Sequence, residues 1–137
     1  MVETGLYITN SYQGDLLMLN TINWFEIPVL EMDRALKFYG AVLDTELTAS
    51  DFEDTLMAFL PSEDGVGGAL VEGEGYIPSL EGSLVYLNGG KDLSVFLNRV
   101  ESAGGRIILP KTGIGEHGFI AFFADTEGNR VGLHSPS

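Results

Sequence analysis

The chain has 137 residues, a length that fits one domain able to bury about two-thirds of its unfolded surface. Twenty acidic residues against seven basic ones give a net charge of −13, a field that repels phosphate backbones and anionic membranes, so neither nucleic acid nor a membrane is expected as a partner. There is no cysteine, which removes disulfides, thiolate metal sites and a cysteine nucleophile.

Hydrophobic residues make up 45% of the chain, enough for an ordinary core, and no apolar run approaches the length of a membrane span. The acids are scattered and read as a solvated surface. The start, Met1-Val-Glu-Thr-Gly-Leu6, lacks the basic residues and apolar block of a signal peptide, and with the missing cysteines this points to a cytoplasmic protein.

Residues 1–20 form an N-terminal extension. Within it Asn10-Ser-Tyr-Gln-Gly-Asp15 reads as a turn or loop and Leu16-Leu-Met-Leu19 as a short apolar run. The extension is either a genuine arm or the product of a start codon upstream of Met18. A first unit, residues 21–75, opens with the strand Ile22–Val29. Period-two alternation sets Trp24, Glu26 and Pro28 on one face and Phe25, Ile27 and Val29 on the other. Met32, Ala35, Leu36, Tyr39, Val42 and Leu43 then follow helical spacing, so the helix should cover Phe25, Ile27 and Val29. Strands are predicted near Glu46–Ala49, Thr55–Leu60 and Gly68–Glu72, with Ser62-Glu-Asp-Gly65 as a hairpin turn.

Glu72–Gly82, rich in glycine and holding Pro78, reads as a linker. The second unit, residues 82–137, repeats the order of the first, and internal repetition is the strongest guide to architecture. Its strand Ser83–Leu87 is expected to turn Leu84 and Tyr86 towards the helix, with Ser83, Val85 and Leu87 opposite. The helix Leu93–Ala103 carries Leu93, Phe96, Leu97, Val100 and Ala103 on one face, and Gly104-Gly105 stops it. Strands near Arg106–Leu109, Phe119–Ala124 and Arg130–His134 follow, the last two joined by a turn at Asp125-Thr-Glu-Gly-Asn129. Successive strands with one helix per unit give the class α+β.

Val29-x-Glu31-Met-x-x-Ala35-x-x-Phe38-Tyr39-x-x-Val42-Leu43, followed by Asp125-Thr-Glu-Gly-Asn-Arg-Val-Gly-Leu133, resembles the vicinal oxygen chelate superfamily. That group includes glyoxalase I, bleomycin-resistance proteins and extradiol dioxygenases, and the likeness covers about residues 20–135. The resemblance implies two βαβββ modules whose curled sheets enclose a cleft, usually in a homodimer. It also implies, in metal-dependent members, a His, Gln or Glu on the first strand of each module and a Glu on each last strand. These positions correspond to Trp24, to Ser83 or Gly82, to Gly132, and to the neighbourhood of Gly67–Leu70. Tryptophan and glycine offer a cation no side-chain lone pair and a lone serine hydroxyl is a poor ligand, so no metal and no cofactor is expected.

Trp24 is either a core aromatic or a flat wall on which a planar ligand stacks. Glu26 shares its face and reads as a salt-bridged edge residue or as a partly desolvated general base. His134 has the parity of Gly132; it is a strand-end histidine or the partner of Glu26 in an acid/base pair. His117 precedes a strand and is placed at the cleft mouth; with His134 and Glu26 it could form a metal site outside the family pattern. Met57, Phe59 and Tyr76 are further pocket-lining candidates, and Ser83 completes the ligand-binding set. Gly113-Ile-Gly-Glu-His-Gly118 matches G-x-G-x-x-G, but a strand follows where a dinucleotide site needs a helix. The function expected is therefore binding of a small molecule in a metal-free cleft. The alternative is a metal-independent lyase, isomerase or hydrolase with Glu26 and His134 as the catalytic pair, and a purely structural module is the third reading.

Overall fold

β1 (Trp24–Pro28), α1 (Met32–Leu43), β2 (Ser50–Phe52), β3 (Thr55–Phe59) and β4 (Gly67–Glu72) build the first half of the protein. The second half repeats the series as β5 (Val85–Asn88), α2 (Ser94–Leu97), β6 (Arg106–Gly113), β7 (Phe119–Ala124) and β8 (Arg130–Ser135). The structure, a computed structural model, describes residues 20–137; the loop expected at Asn10–Asp15 and the apolar run Leu16–Leu19 lie outside the described residues. Each half makes its own four-stranded sheet, in the orders β1-β4-β3-β2 and β5-β8-β7-β6. In both, the first strand pairs in parallel with the last and the remaining pairs are antiparallel. These are the two βαβββ modules of an α+β fold, and β1 and β5 are the neighbouring free edges of sheets that do not close on one another.

The helical spacing places Met32, Ala35, Phe38, Tyr39 and Val42 on one buried face of α1. That face joins Ile27 from β1 and Val29 just after it with Phe123, Val131 and Leu133 from the second sheet, so one core serves both modules. The helix ends at Asp44, which adopts the left-handed conformation that aspartate tolerates.

Three expectations need correction. No strand forms at Glu46–Ala49; the ladder begins at Ser50, because only Ser50–Phe52 folds back across Glu53-Asp54 onto Thr55–Met57. The regular α-helix of the second module covers Ser94–Leu97 and not Leu93–Ala103. Beyond it the chain winds more tightly, with Arg99 N–H on the Phe96 carbonyl and Val100 N–H on that of Leu97, until Gly104 turns at φ +108°. Finally, Val85 and Leu87 face the core and Tyr86 faces outward, the reverse of the expected parity. The register Tyr86↔Gly132 and Leu87↔Leu133 decides this, since a one-residue slip would exchange the two faces of β5.

The β7–β8 turn joins the modules. Asp125 Oδ1 accepts the N–H groups of Glu127 and Asn129, each at 2.8 Å, while Oδ2 accepts Tyr39 O–H at 2.6 Å and Asn129 Nδ2 at 2.9 Å. Asn129 Nδ2 also donates to the Pro28 carbonyl at 2.7 Å. Glu127, whose side chain is fully buried, accepts Leu30 N–H at 2.9 Å, Glu31 N–H at 2.8 Å and Arg34 Nε at 2.7 Å. α1 has no capping side chain of its own, and its entry is satisfied by Glu127 and by Glu72, which accepts Met32 N–H.

Burial, the largest influence on Glu127, pushes its carboxyl up, but the bonds from Arg34, Glu31, Thr126 and Leu30 outweigh it and hold the group at about 2, against an ordinary 4.5. The stabilisation is therefore complete above pH 4.5 and drains away as pH falls towards 2. Arg34 is 41% exposed, so solvent screening trims the ion-pair share; glutamine keeps Oε1 for the Leu30 and Glu31 N–H groups but sets an NH2 against the donors Arg34 Nε and Thr126 Oγ1, which puts the cost of Glu127→Gln at about 2 kcal/mol. In thermal melts the variant should start lower at neutral pH and lose less than the parent between pH 4.5 and 2.

Candidate functional site

The two sheets present equivalent positions on their outward faces. On the first, Trp24 stands opposite Gly67 of β4; on the second, Tyr86 stands opposite Gly132 of β8. A Cβ on Gly67 would lie 3.1 Å from the Trp24 ring, and one on Gly132 would lie 2.6 Å from the Tyr86 ring. Each aromatic thus lies against a glycine that leaves it room. Both rings stay open to solvent, Trp24 at 42% and Tyr86 at 46%. Ser83, which the sequence puts at the second of these positions, precedes β5; the partner of Gly132 is Tyr86.

Around Trp24 the first sheet carries a row of aromatics. Trp24 meets Phe59 edge-on at 6.0 Å, Phe59 meets Phe52 at 5.9 Å, and Met57 lies on the same face. Glu26 accepts the Trp24 indole N–H at 3.2 Å and the Tyr76 hydroxyl at 3.1 Å. It is exposed, so the desolvation anticipated beneath the indole is not present. Tyr76 becomes the partner of Glu26, and that hydrogen bond raises its phenol above the ordinary 10.

On the second sheet Tyr86 packs against Phe122 at 6.0 Å, and the Arg130 guanidinium sits over the Phe122 ring at 5.6 Å. His134 Nε2 is 2.7 Å from the His117 carbonyl. A carbonyl only accepts, so neutral His134 carries its proton on Nε2 and leaves the Nδ1 lone pair free. Tyr86, Asn88, Ile114, His117, Ile120 and His134 line an open cavity of about 640 Å³. The Gly113–Gly118 segment forms a 3-10 turn at Gly115–His117 and runs into β7, so its Ile114 and His117 form a wall of this cavity and no phosphate-binding helix follows.

The structure brings His117 and His134 together but not with Glu26. Glu26 lines a separate cavity of about 220 Å³ at the β1–β5 seam, with Ser83, Asn129 and Arg130. Trp24 and Met57 line neither cavity and lie on the open face of the first sheet. Among the described residues, no group of three or more His, Asp or Glu is placed to hold a metal ion. Sequence reasoning missed Tyr86, Asn88 and Arg130. A usable signal existed for Tyr86: Gly132 offers no side chain on its face, so a large neighbour on β5 has to fill that space.

The family model of the Glyoxalase/Bleomycin resistance protein/Dioxygenase superfamily matches residues 21–133. The chain belongs to this superfamily. Among solved structures it is similar to a glyoxalase/bleomycin resistance protein from Albidiferax ferrireducens T118, at 13% identity and TM-score 0.65, over 86% of this chain and 100% of that one. It is similar also to the antibiotic-binding protein TnmS3 from Streptomyces sp. CB03234, at 21% identity and TM-score 0.60, over 89% of this chain and 100% of that one. Glyoxalase I from Zea mays aligns at 22% identity and TM-score 0.62 over 83% of this chain, which spans 45% of that protein. No curated protein matches. At these identities the likenesses establish the fold, and fold alone does not fix chemistry.

The resemblance places the metal of metal-dependent members of the superfamily between the first and last strands of the two modules. Here those positions present Trp24, Gly67, Tyr86 and Gly132. Indole and glycine have no donor lone pair to give and one phenol hydroxyl is not a ligand set, so these residues do not fit a divalent ion. If the Tyr86 ring owes its position to the bare glycine beside it, Gly132→Ala should cost about 1–2 kcal/mol in the parent and close to nothing in a Tyr86→Ala background. Urea denaturation of the four proteins in that cycle measures the coupling.

Proposed function

We propose that this member of the superfamily binds a small molecule on the outward face of its sheets, without a metal ion. The observation that carries the reading is the repeated aromatic-over-glycine pair, Trp24 on Gly67 and Tyr86 on Gly132, which puts flat apolar surface where metal-dependent relatives need ligands. The cavity beside Tyr86 fits a planar molecule stacked on the phenol ring, with a donor group pointing at His134 Nδ1 and His117 at the rim. Trp24, Glu26 and Met57 extend the surface on the first sheet, and Ser83 stands at the seam between the two. The net charge of −13 favours the approach of a cationic ligand. The similar Streptomyces protein is an antibiotic-binding one, which supports small-molecule binding on this fold.

A cytoplasmic homodimer is part of the same proposal: a second copy would cover the half-exposed Phe59 and Phe52 towards the far edge of the first sheet and leave Trp24 beside the seam for the ligand. The alternative of a metal-independent lyase, isomerase or hydrolase using Glu26 and His134 has less support, because those side chains line different cavities.

Calorimetric titration with a panel of planar aromatic cations tests the reading. At least one should bind, with Tyr86→Ala and His134→Ala each weakening it about tenfold or more, the loss of one good stacking or hydrogen-bonding contact. A panel without binders, or stoichiometric Zn, Ni, Fe or Mn in unchelated protein, would overturn it.

A further inference from the structure

A larger cavity, about 710 Å³, opens at the seam on the other side of the sheets, the side that faces the helices. Phe25, Leu43 and Leu60 from the first module meet Val85, Leu87 and Phe96 from the second across it. In a chain where 20% of residues are charged, no Asp, Glu, Lys, Arg or His among the described residues stands in this lining. The volume lies within the range of about 300–1,000 Å³ that holds drug-sized ligands.

The backbone of β5 gives it a polar margin. Gly89 N–H bonds to the His134 carbonyl, so residues of that parity on β5, Val85 and Leu87, direct their peptide groups at β8. Alternate residues point the other way, which turns the N–H and C=O groups of Tyr86 and Asn88 towards the seam. β1 follows the same rule: Val29 N–H bonds to Val71, and Pro28 turns its carbonyl to the seam, where Asn129 takes it. Among the described residues no strand takes the corresponding groups of β5, which is the edge of its sheet. Ser83, just before β5, lines the cavity at the same margin.

An ion entering this chamber would lose its water and find no counter-charge, whereas a neutral apolar molecule gains from burial and can give its polar atom to the strand edge. We infer that the seam chamber is a second binding site, separate from the outward face, for an uncharged and mainly hydrocarbon molecule carrying one carbonyl, amide or amine group that hydrogen-bonds to the free edge of β5. The inference does not rest on the proposed function. Such a ligand touches both modules and would fasten them where the sheets share no ladder.

N-phenyl-1-naphthylamine, an uncharged apolar fluorophore, serves as the probe, with its sulfonated analogue 1-anilinonaphthalene-8-sulfonate as the charged counterpart. Both are titrated into the full chain in salt that screens the protein's net charge. The neutral probe should bind saturably at one equivalent and the sulfonate at least about tenfold more weakly. Val66→Trp, at a lining residue that is 36% exposed, and Ile22→Glu, at one that is 59% exposed, fill the chamber or charge its mouth from solvent-facing positions. Each should weaken the neutral probe about tenfold or more, while His134→Ala on the outward face leaves it unchanged. Three results would each overturn the inference: no saturable binding, affinity indifferent to both chamber variants, or loss of the probe with His134→Ala. Cation binding in the preceding titration is scored separately, so either site can fail alone.

Discussion

Four hydrogen bonds converge on the buried carboxylate of Asp125, and the one from Tyr39 reaches it from the helix of the other module. That bond makes the β7–β8 turn a joint as well as a turn. With Asp125 fixed, Asn129 is aimed at the Pro28 carbonyl and Glu127 at the N–H groups that open α1. Burial, reinforced by the charge of Asp125, raises the Tyr39 phenol well above its ordinary 10, so the hydroxyl remains a donor whenever the fold is intact. The signature residues of the chain, Tyr39 in the helix and Asp125–Asn129 in the turn, therefore hold the two modules in register with one another, and the surface where a ligand would sit lies elsewhere.

That division separates architecture from chemistry. The joint holds β1 and β5 as facing edges, and every cavity described above opens on or beside β5. What occupies the outward face can change without disturbing the joint, and in this chain the occupants are an indole and a phenol, each against a glycine. Positions that the resemblance assigns to metal donors present aromatic rings and glycines here. The helix side of the seam is a distinct environment, apolar and without ionisable side chains, with the unpaired edge of β5 as its polar margin.

Much of the fold was legible in the residues. The α1 pattern, the strand at Phe119–Ala124, the closing turn and the glycine stop at Gly104 all depend on local rules of spacing and backbone freedom, and they stand where those rules put them. The errors fall where a partner strand decides. Glu46–Ala49 alternates like a strand but faces no strand; β5 reads equally well in either parity until Gly132 selects one. Of the candidate site residues, His117 and His134 converge because β8 runs beside the end of the Gly113–Gly118 loop, while Glu26 pairs with Trp24 and Tyr76 instead.

Taken alone, the sequence determined the α+β class and two repeated modules, together with the residue types at the positions the resemblance assigns to metal ligands, because periodicity and residue chemistry are local properties of the chain. The tertiary structure decided which face Tyr86 occupies, that Glu26 and His134 lie apart, and that an uncharged chamber opens between the modules. Those facts depend on strand register and on which edges meet, and contacts between residues distant in sequence set both.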